Sequence, residues 1–94
     1  PEDLARGVEL LSEAAEAGYG PAQYNLGKAI RDGRGIERDE EQAAQWFARA
    51  AAQGLAKAQR HLGTRYGEGQ GVARDPILAV KWLTLAADQG LVTA

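Results

Sequence analysis

Apolar residues recur along this chain at steps of three and four positions, which is the spacing of one face of an α-helix. One such face lies between Glu40 and Gln53, and a second lies between Pro76 and Gln89. Their apolar members are Ala43, Trp46, Phe47, Ala50 and Ala51 in the first, and Ala79, Trp82, Leu83, Ala86 and Ala87 in the second. A third face opens the chain with Leu10, Leu11, Ala14 and Ala15. The pattern predicts three amphipathic helices.

Shorter apolar steps predict two further helices between these, over Pro21 to about Asp32 and over Lys57 to about Gly67. Residues Leu91 to Ala94 are the predicted stub of a sixth helix. Nowhere does the chain alternate apolar and polar residues with the period of two that a β-strand requires. The predicted fold class is therefore all-α, with five helices and a stub.

Residues at the helix ends support these boundaries. Asp39 is the predicted N-cap of the helix that follows it, and Gln42 is expected to complete a capping box. Asp75 takes the same place one repeat later, with Pro76 at the first helical position, where no N–H is needed. Gly54 ends a helix, as glycine commonly does one residue past the last turn.

The helical pattern repeats at a fixed interval of 36 residues. The residues that recur are Gly18, Ala22, Gln23, Leu26, Gly27, Gly33, Gly35, Arg38, Asp39, Ala43, Trp46, Ala50 and Ala51. A period of this size indicates a solenoid, in which one helix hairpin stacks on the next. Gly27 and Gly63 each cost a helix about 1 kcal/mol relative to alanine, so we expect close helix crossings there. Since repeated residues build the fold, binding is expected at positions that differ between copies.

These motifs resemble the Sel1-like repeats, which are relatives of the tetratricopeptide repeats. The stretches that carry the resemblance are residues 22–27, 33–36, 39, 43–51 and 53–54 in one copy and residues 58–59, 62–63, 69–72, 75–76, 79–83, 86–87 and 89–90 in the next. The resemblance implies a right-handed α/α superhelix of helix-turn-helix repeats. It also implies a scaffold or adaptor for other proteins, as in bacterial signalling, envelope and host-interaction systems.

The domain organisation follows from the same register. We expect a single domain over residues 1–94, with the second helix of a partial repeat at 1–18, repeats at 19–54 and 55–90, and the start of another at 91–94. A chain that opens and closes within its own pattern is expected to be a piece of a longer protein.

Composition narrows the chemistry further. The formal net charge is −2 with both signs interspersed, which gives no reason to expect a nucleic acid partner. No apolar run approaches the roughly 18 residues that cross a bilayer, so we expect no membrane insertion. The chain has no cysteine and one histidine, so we expect no metal site and no cofactor. Some secreted relatives tie each hairpin with a disulfide, and a few are credited with binding or cleaving β-lactams; this chain lacks that cysteine signature.

Several conspicuous residues are expected to serve the fold. Trp46 and Trp82 lie on the inward stripes and are predicted to be core residues instead of binding hot spots. The glycine pairs of segments 33–35 and 69–71 follow helices and lack the rest of a phosphate-binding motif, so we expect turn glycines with positive φ. His61 falls beside the apolar stripe of its helix and is predicted to be solvated.

Binding is expected on the first helix of each pair, which lines the concave side if the resemblance holds. The outward-facing positions there are Tyr24, Lys28, Arg31, Arg60 and Thr64, and they differ between copies. Polar donors beside an aromatic ring suit a protein or peptide that is acidic or presents a C-terminal carboxylate. A solvated basic face without a partner is the alternative.

Three further hypotheses stay open. The first is a hydrolase acting on β-lactam or peptidoglycan-type substrates, which would need a base beside a hydroxyl. The candidate hydroxyls are Ser12, Thr64, Thr84 and Thr93, and none has an evident base in the sequence. The second is a passive spacer between other domains. The third is end-to-end self-association, since Leu4, Val8 and Leu11 at one end and the last helix at the other are expected to expose apolar surface.

Overall fold

The computed structural model describes residues 2–90, and these form five α-helices without any strand. The helices are α1 (Glu2–Glu16), α2 (Gly20–Asp32), α3 (Glu40–Ala52), α4 (Ala56–Glu68) and α5 (Pro76–Asp88). Each helix packs against the one before it and the one after it in the chain, and the long axis of the molecule measures 40 Å. The all-α prediction is confirmed. The predicted stub over residues 91–94 lies outside the described residues.

Asp39 and Asp75 cap their helices as predicted. The Asp39 carboxylate accepts a hydrogen bond from the backbone N–H of Gln42 at 3.0 Å, and the Asp75 carboxylate accepts one from the backbone N–H of Leu78 at 3.1 Å. The prediction that Gln42 completes a capping box is wrong, because the Asp39 N–H donates to the carbonyl of Ile30 instead. The Asp75 N–H likewise donates to Tyr66. Each cap residue therefore ties the second helix of a hairpin to the first.

The glycine loops are turns, as the sequence indicates. Gly33 and Gly35 have φ of 69° and 78°, a region that L side chains rarely adopt. The second glycine of each loop also touches the preceding repeat. A β-carbon at Gly35 would lie 2.9 Å from the carbonyl oxygen of Leu4, and one at Gly71 would clash with the carbonyl oxygen of Glu40. Neither site has room for any side chain.

The core centres on Phe47 instead of the two tryptophans. Phe47 is 0% exposed, whereas Trp46 and Trp82 are only half-buried and pack at the edges of two apolar clusters. The predicted core role of the indoles is thus confirmed only in part. Trp46 and Phe47 are adjacent on one stripe, and it is Phe47 that points into the hairpin, while the guanidinium of Arg49 covers the Trp46 ring at 4.5 Å.

Helix glycines make the close crossings that their position predicts. A β-carbon at Gly27 would lie 3.0 Å from the Phe47 ring, and one at Gly63 would lie 2.8 Å from Cγ of Leu83. Their missing side chains therefore allow the first helix of each hairpin to approach the second closely.

The two ends of the solenoid differ from each other. Leu4, Val8 and Leu11 are half-buried, so the prediction that they lie exposed is wrong. Val8 and Leu11 pack on the buried cluster that contains Phe47. Exposed apolar side chains concentrate on α5 instead, namely Ile77, Val80, Leu83 and Leu85. Val80 and Leu83 occupy the repeat positions that Ala44 and Phe47 fill on α3, where both are buried. The apolar end of the described chain is its C-terminal end.

Candidate functional site

The predicted binding residues lie along the first helices of the two hairpins, α2 and α4, and we call their shared surface the α2–α4 face. Side-chain contacts join the two helices there. The hydroxyl of Tyr24 lies 3.2 Å from Nε2 of His61, and Nη1 of Arg31 lies 3.4 Å from Nδ1 of the same ring. Helices from successive repeats therefore form one continuous surface at His61.

His61 is half-buried, so the prediction of a solvated side chain is wrong. Its ring stacks on Phe47 with centroids 4.9 Å apart and an angle of 17° between planes. The Tyr24 ring meets it edge-on at 5.4 Å. Phe47 belongs to α3, and its ring packs against Gly27 of α2, where the missing side chain leaves room for it. The environment of His61 thus depends on two other helices, and the equivalent residue of the preceding repeat, Asn25, gave no hint of it.

The neighbours of His61 fix its protonation. An arginine can only donate, so Nδ1 accepts from Arg31 and the neutral ring carries its hydrogen on Nε2, which donates to the Tyr24 hydroxyl. Burial, followed by the charges of Arg31, Arg60, Arg65 and Lys28, lowers the pKa of His61 to about 4. The ring is therefore neutral at pH 7, and the Tyr24 hydroxyl keeps its own hydrogen for a further acceptor.

Arg65 lines the same face as the predicted binding residues, and sequence reasoning missed it as a candidate. It is 4% exposed, its guanidinium lies over the Phe47 ring at 5.4 Å, and it forms an ion pair with Glu40 of α3. Within residues 2–90, its Nε has no hydrogen-bond acceptor. The hydrogen bonds from Arg38 and Arg65 lower the pKa of the Glu40 carboxyl. The preceding repeat has Ala29 at this position, so the repeat pattern carried no signal for a buried charge.

Two depressions divide the α2–α4 face between them. The first, which we call the arginine depression, has a volume of about 250 Å³. It is lined by Arg31, Arg60, His61, Thr64, Arg65 and Gln70. The second has a volume of about 570 Å³, and its lining includes Tyr24, Asn25, Lys28, Leu55, Lys57 and Gln89. The structure therefore brings three of the five predicted residues into one depression and places the other two in its neighbour.

The charges of the α2–α4 face are unbalanced. Five cationic side chains line the two depressions: Lys28, Arg31, Lys57, Arg60 and Arg65. Asp32 pairs with Arg31 at 2.8 Å, and Glu40 pairs with Arg65. The Nζ of Lys28 lies 4.8 Å from the centroid of the Tyr24 ring, which fixes that amine beside the phenol. The face has an excess of positive charge although the chain as a whole is acidic.

The described residues give little support to metal binding, hydrolysis or membrane insertion. Residues 2–90 contain no grouping of three or more metal-ligating side chains. The hydroxyl of Thr64 donates to the carbonyl of Arg60 at 3.0 Å, and the nitrogens of the nearby His61 face Tyr24 and Arg31. None of the five helices has both the length and the apolar run of a membrane-spanning segment.

Comparison with known families matches the Sel1 repeat over residues 1–19, 20–55 and 56–91. Comparison with curated protein sequences finds no match. Among solved structures, a protective antigen of uropathogenic Escherichia coli with an SLR fold is 40% identical, with a TM-score of 0.89 over 92% of this chain. A Sel1 repeat protein of Oxalobacter formigenes is 43% identical, with a TM-score of 0.89 over 92% of this chain. Cysteine rich protein B of Helicobacter pylori is 28% identical, with a TM-score of 0.84 over 88%.

This chain spans only part of those structures: 18% of the Escherichia coli antigen, 25% of the Oxalobacter protein and 62% of the Helicobacter protein. The likeness nevertheless extends over nearly the whole of the chain itself. Three observations agree on the family of this chain. Its hairpins repeat at a 36-residue interval, each loop carries paired glycines, and the family comparison matches the chain. The chain belongs to the Sel1 repeat family, whose members are helical solenoids that generally mediate protein interactions.

Proposed function

We propose that this chain is a non-catalytic protein-interaction module that binds an acidic peptide, or an acidic segment of a partner domain, on the α2–α4 face. This face is the concave side of the proposed superhelix. The proposed contact residues are Tyr24, Lys28, Arg31, Arg60 and Thr64. The observation that carries the proposal is the local excess of positive charge on this face of an acidic chain. The Sel1 repeat family supports a scaffold as the type of function.

Preorganisation is the proposed mechanism. The Tyr24–His61–Arg31 contacts join α2 to α4, and Lys28 is held over the Tyr24 ring. Side chains that are already ordered lose little conformational entropy when a ligand arrives. Charge-assisted hydrogen bonds from arginine to carboxylates then supply both affinity and orientation. A neutral His61 adds no further positive charge to this junction at pH 7.

The test compares peptide binding by a variant with three reversed charges on the α2–α4 face with binding by a variant with three reversed charges elsewhere on the chain. The face variant carries Lys28→Glu, Arg31→Glu and Arg60→Glu. The matched control carries Arg6→Glu, Arg49→Glu and Lys81→Glu, which are exposed residues of the second helices and change the net charge equally. The probe is a fluorescein-labelled peptide of alternating glutamate and alanine with a free C-terminus, measured by anisotropy at low salt.

We expect the face variant to weaken binding by tenfold or more, on the basis of about 1.5–3 kcal/mol for a hydrogen bond to a charged group. The control is expected to change it by about twofold, through long-range charge alone. Circular dichroism of both variants establishes that the helices are intact. Equal weakening in both variants, or no binding by the parent chain, would refute the α2–α4 face as the binding surface.

We also propose end-to-end self-association through α5, because its apolar side chains are exposed. Val80 is 64% exposed and Leu83 is 40% exposed, at the repeat positions that are covered on α3. Val80→Lys should abolish association in sedimentation velocity. The matched control is Leu85→Lys, because the equivalent α3 residue, Arg49, is exposed even between repeats. A parent chain that sediments as a monomer at high concentration contradicts the association.

A further inference from the structure

The arginine depression is built differently from the rest of the α2–α4 face. Its walls combine an exposed guanidinium on Arg60, a buried guanidinium on Arg65 and the amide of Gln70 from the following loop. It lies where α2 and α4 are joined through His61. We infer that this depression is the subsite for a single carboxylate of the bound peptide, with Arg60 and Arg65 as its principal donors. This inference rests on the proposed function and specifies one contact within it.

One guanidinium that lines the depression has no acidic partner among the described residues. Three guanidiniums line it, from Arg31, Arg60 and Arg65. Arg31 is neutralised by Asp32 through two hydrogen bonds, at 2.8 and 3.0 Å. Arg65 is paired with Glu40, and that carboxylate is shared with Arg38. With His61 neutral, Arg60 is the one guanidinium lining the depression that has no acidic partner within residues 2–90, and a single carboxylate would pair with it.

Arg65 gives the subsite a fixed donor. Its guanidinium is held between Glu40 and the ring of Phe47, so little side-chain entropy is left to lose on binding. Its buried Nε hydrogen has no acceptor within residues 2–90, and an unsatisfied buried donor is unfavourable. A carboxylate in the depression would meet the part of this guanidinium that lines it and add to its charge compensation, while Arg60, being exposed, can close over the ligand from outside.

Thr64 has a narrower role than the other lining residues. Its hydroxyl hydrogen is already donated to the Arg60 carbonyl at 3.0 Å, so its proposed contact with the peptide is through the wall of the depression and not as a donor to the carboxylate. The planar fork of a guanidinium matches the two oxygens of a carboxylate, and about 250 Å³ accommodates one side chain or one chain end. Chemistry and size both favour a single carboxylate.

The first experiment tests the depression without any peptide. The protein is titrated with sodium acetate against sodium chloride at equal ionic strength, and the arginine Nε–Hε signals are followed by NMR. Acetate is expected to shift the Arg60 and Arg65 signals along a saturating curve, whereas chloride leaves them nearly unchanged. Arg6 and Arg49 lie on other helices and serve as internal controls. Equal shifts at all four arginines would overturn the subsite.

The second experiment uses the glutamate–alanine peptide with Arg60→Gln and, as the matched control, Lys57→Gln. Both residues are exposed on α4 and both substitutions remove one positive charge, but Lys57 lines the neighbouring depression. Arg60→Gln should weaken binding about tenfold, and Lys57→Gln about twofold. Amidating the peptide C-terminus, or replacing its glutamates by glutamines, then identifies which carboxylate is bound. No loss in either peptide would overturn the inference.

The two proposals fail in different ways. If Arg60→Gln and Lys57→Gln weaken the peptide equally, the face binds by diffuse charge, and the subsite is wrong while the proposed function stands. If the acetate titration shifts the Arg65 signal along a saturating curve but the peptide does not bind, the proposed function is wrong while a carboxylate site remains.

Discussion

Gln53 donates its side-chain amide to the side-chain oxygen of Gln23 at 2.9 Å, and the same bond joins Gln89 to Gln59 one repeat later. Gln23 is buried and donates in turn to the carbonyl of Ala15 at 3.1 Å. Three consecutive helices are thereby connected by a chain of amides. Since a buried polar group must be hydrogen-bonded to be tolerated, this arrangement explains why glutamine recurs at these positions.

Replacing Gln23 by leucine tests the contribution of this chain. Gln23→Leu removes the donor to the Ala15 carbonyl and the acceptor for Gln53, so the free energy of unfolding should fall by about 1–3 kcal/mol. Urea denaturation measures it. Gln45→Leu is the matched control, because Gln45 is exposed on α3, and its effect should stay within about 0.5 kcal/mol. Equal effects would mean that the amide chain adds nothing to stability.

The helix glycines allow a comparison within α4. Gly63→Ala should destabilise the protein by about 1–3 kcal/mol, because the new methyl would meet Leu83 at 2.8 Å and the Ala79 carbonyl oxygen at 3.1 Å. Gly67→Ala should stabilise it by about 0.5 kcal/mol through helix propensity, since its nearest contact would be an ordinary 3.7 Å. Thermal unfolding of both variants checks the signs. A neutral or stabilising Gly63→Ala would contradict the close crossing.

The Arg65–Glu40 ion pair should couple the two hairpins. Glu40→Gln leaves the buried guanidinium of Arg65 undercompensated, and because the Glu40 side chain keeps 30% exposure we expect a loss of about 1–3 kcal/mol. Adding Arg65→Met should recover part of that loss, because no buried charge is then left. Glu41→Gln, in the same helix turn but exposed, should cost less than about 0.5 kcal/mol. Additive effects of the two substitutions would argue against direct coupling.

Stability should depend on pH through His61. Its pKa is about 4 in the folded chain and 6.5 ordinarily, so between these values the unfolded chain binds more protons and stability falls as the pH falls. We expect a loss on the order of 1 kcal/mol, below the full linkage value because the half-buried ring is partly screened by solvent. Chemical denaturation at pH 7, 6 and 5 measures it.

His61→Asn, which restores the residue of the preceding repeat, should flatten this dependence above pH 5. The hydrogen bond from Arg31 lowers the pKa of the Asp32 carboxyl, and those from Arg38 and Arg65 lower that of Glu40. Those groups lose their contribution at lower pH, since their ordinary values are 3.8 and 4.5. An unchanged slope in His61→Asn would show that another group controls stability in this range.

Local signals predicted the fold well. Asp39 and Asp75 mark the helix starts to the residue, because a cap depends on its own helix. Periodicity predicted the core residues less well. Trp46 and Phe47 share one apolar stripe, and packing against other helices decides which of the two side chains is fully buried. Variable positions in the repeat led to the predicted binding residues, and the structure shows that these line two adjacent depressions; that they bind a partner stays a prediction. The sequence could not identify His61 or Arg65 as residues of the α2–α4 face, because their burial depends on Phe47 and Glu40 from another helix.

The second glycine of each loop has a consequence for the shape of longer arrays. Gly35 and Gly71 touch the first turn of the preceding repeat's second helix so closely that neither admits a methyl group. That contact sets how far each hairpin rotates relative to its predecessor, and small rotations accumulate into the pitch of the superhelix. Substitution there would alter the curvature of the array, and with it the separation of the proposed ligand contacts on adjacent repeats, without changing any of the proposed contact residues.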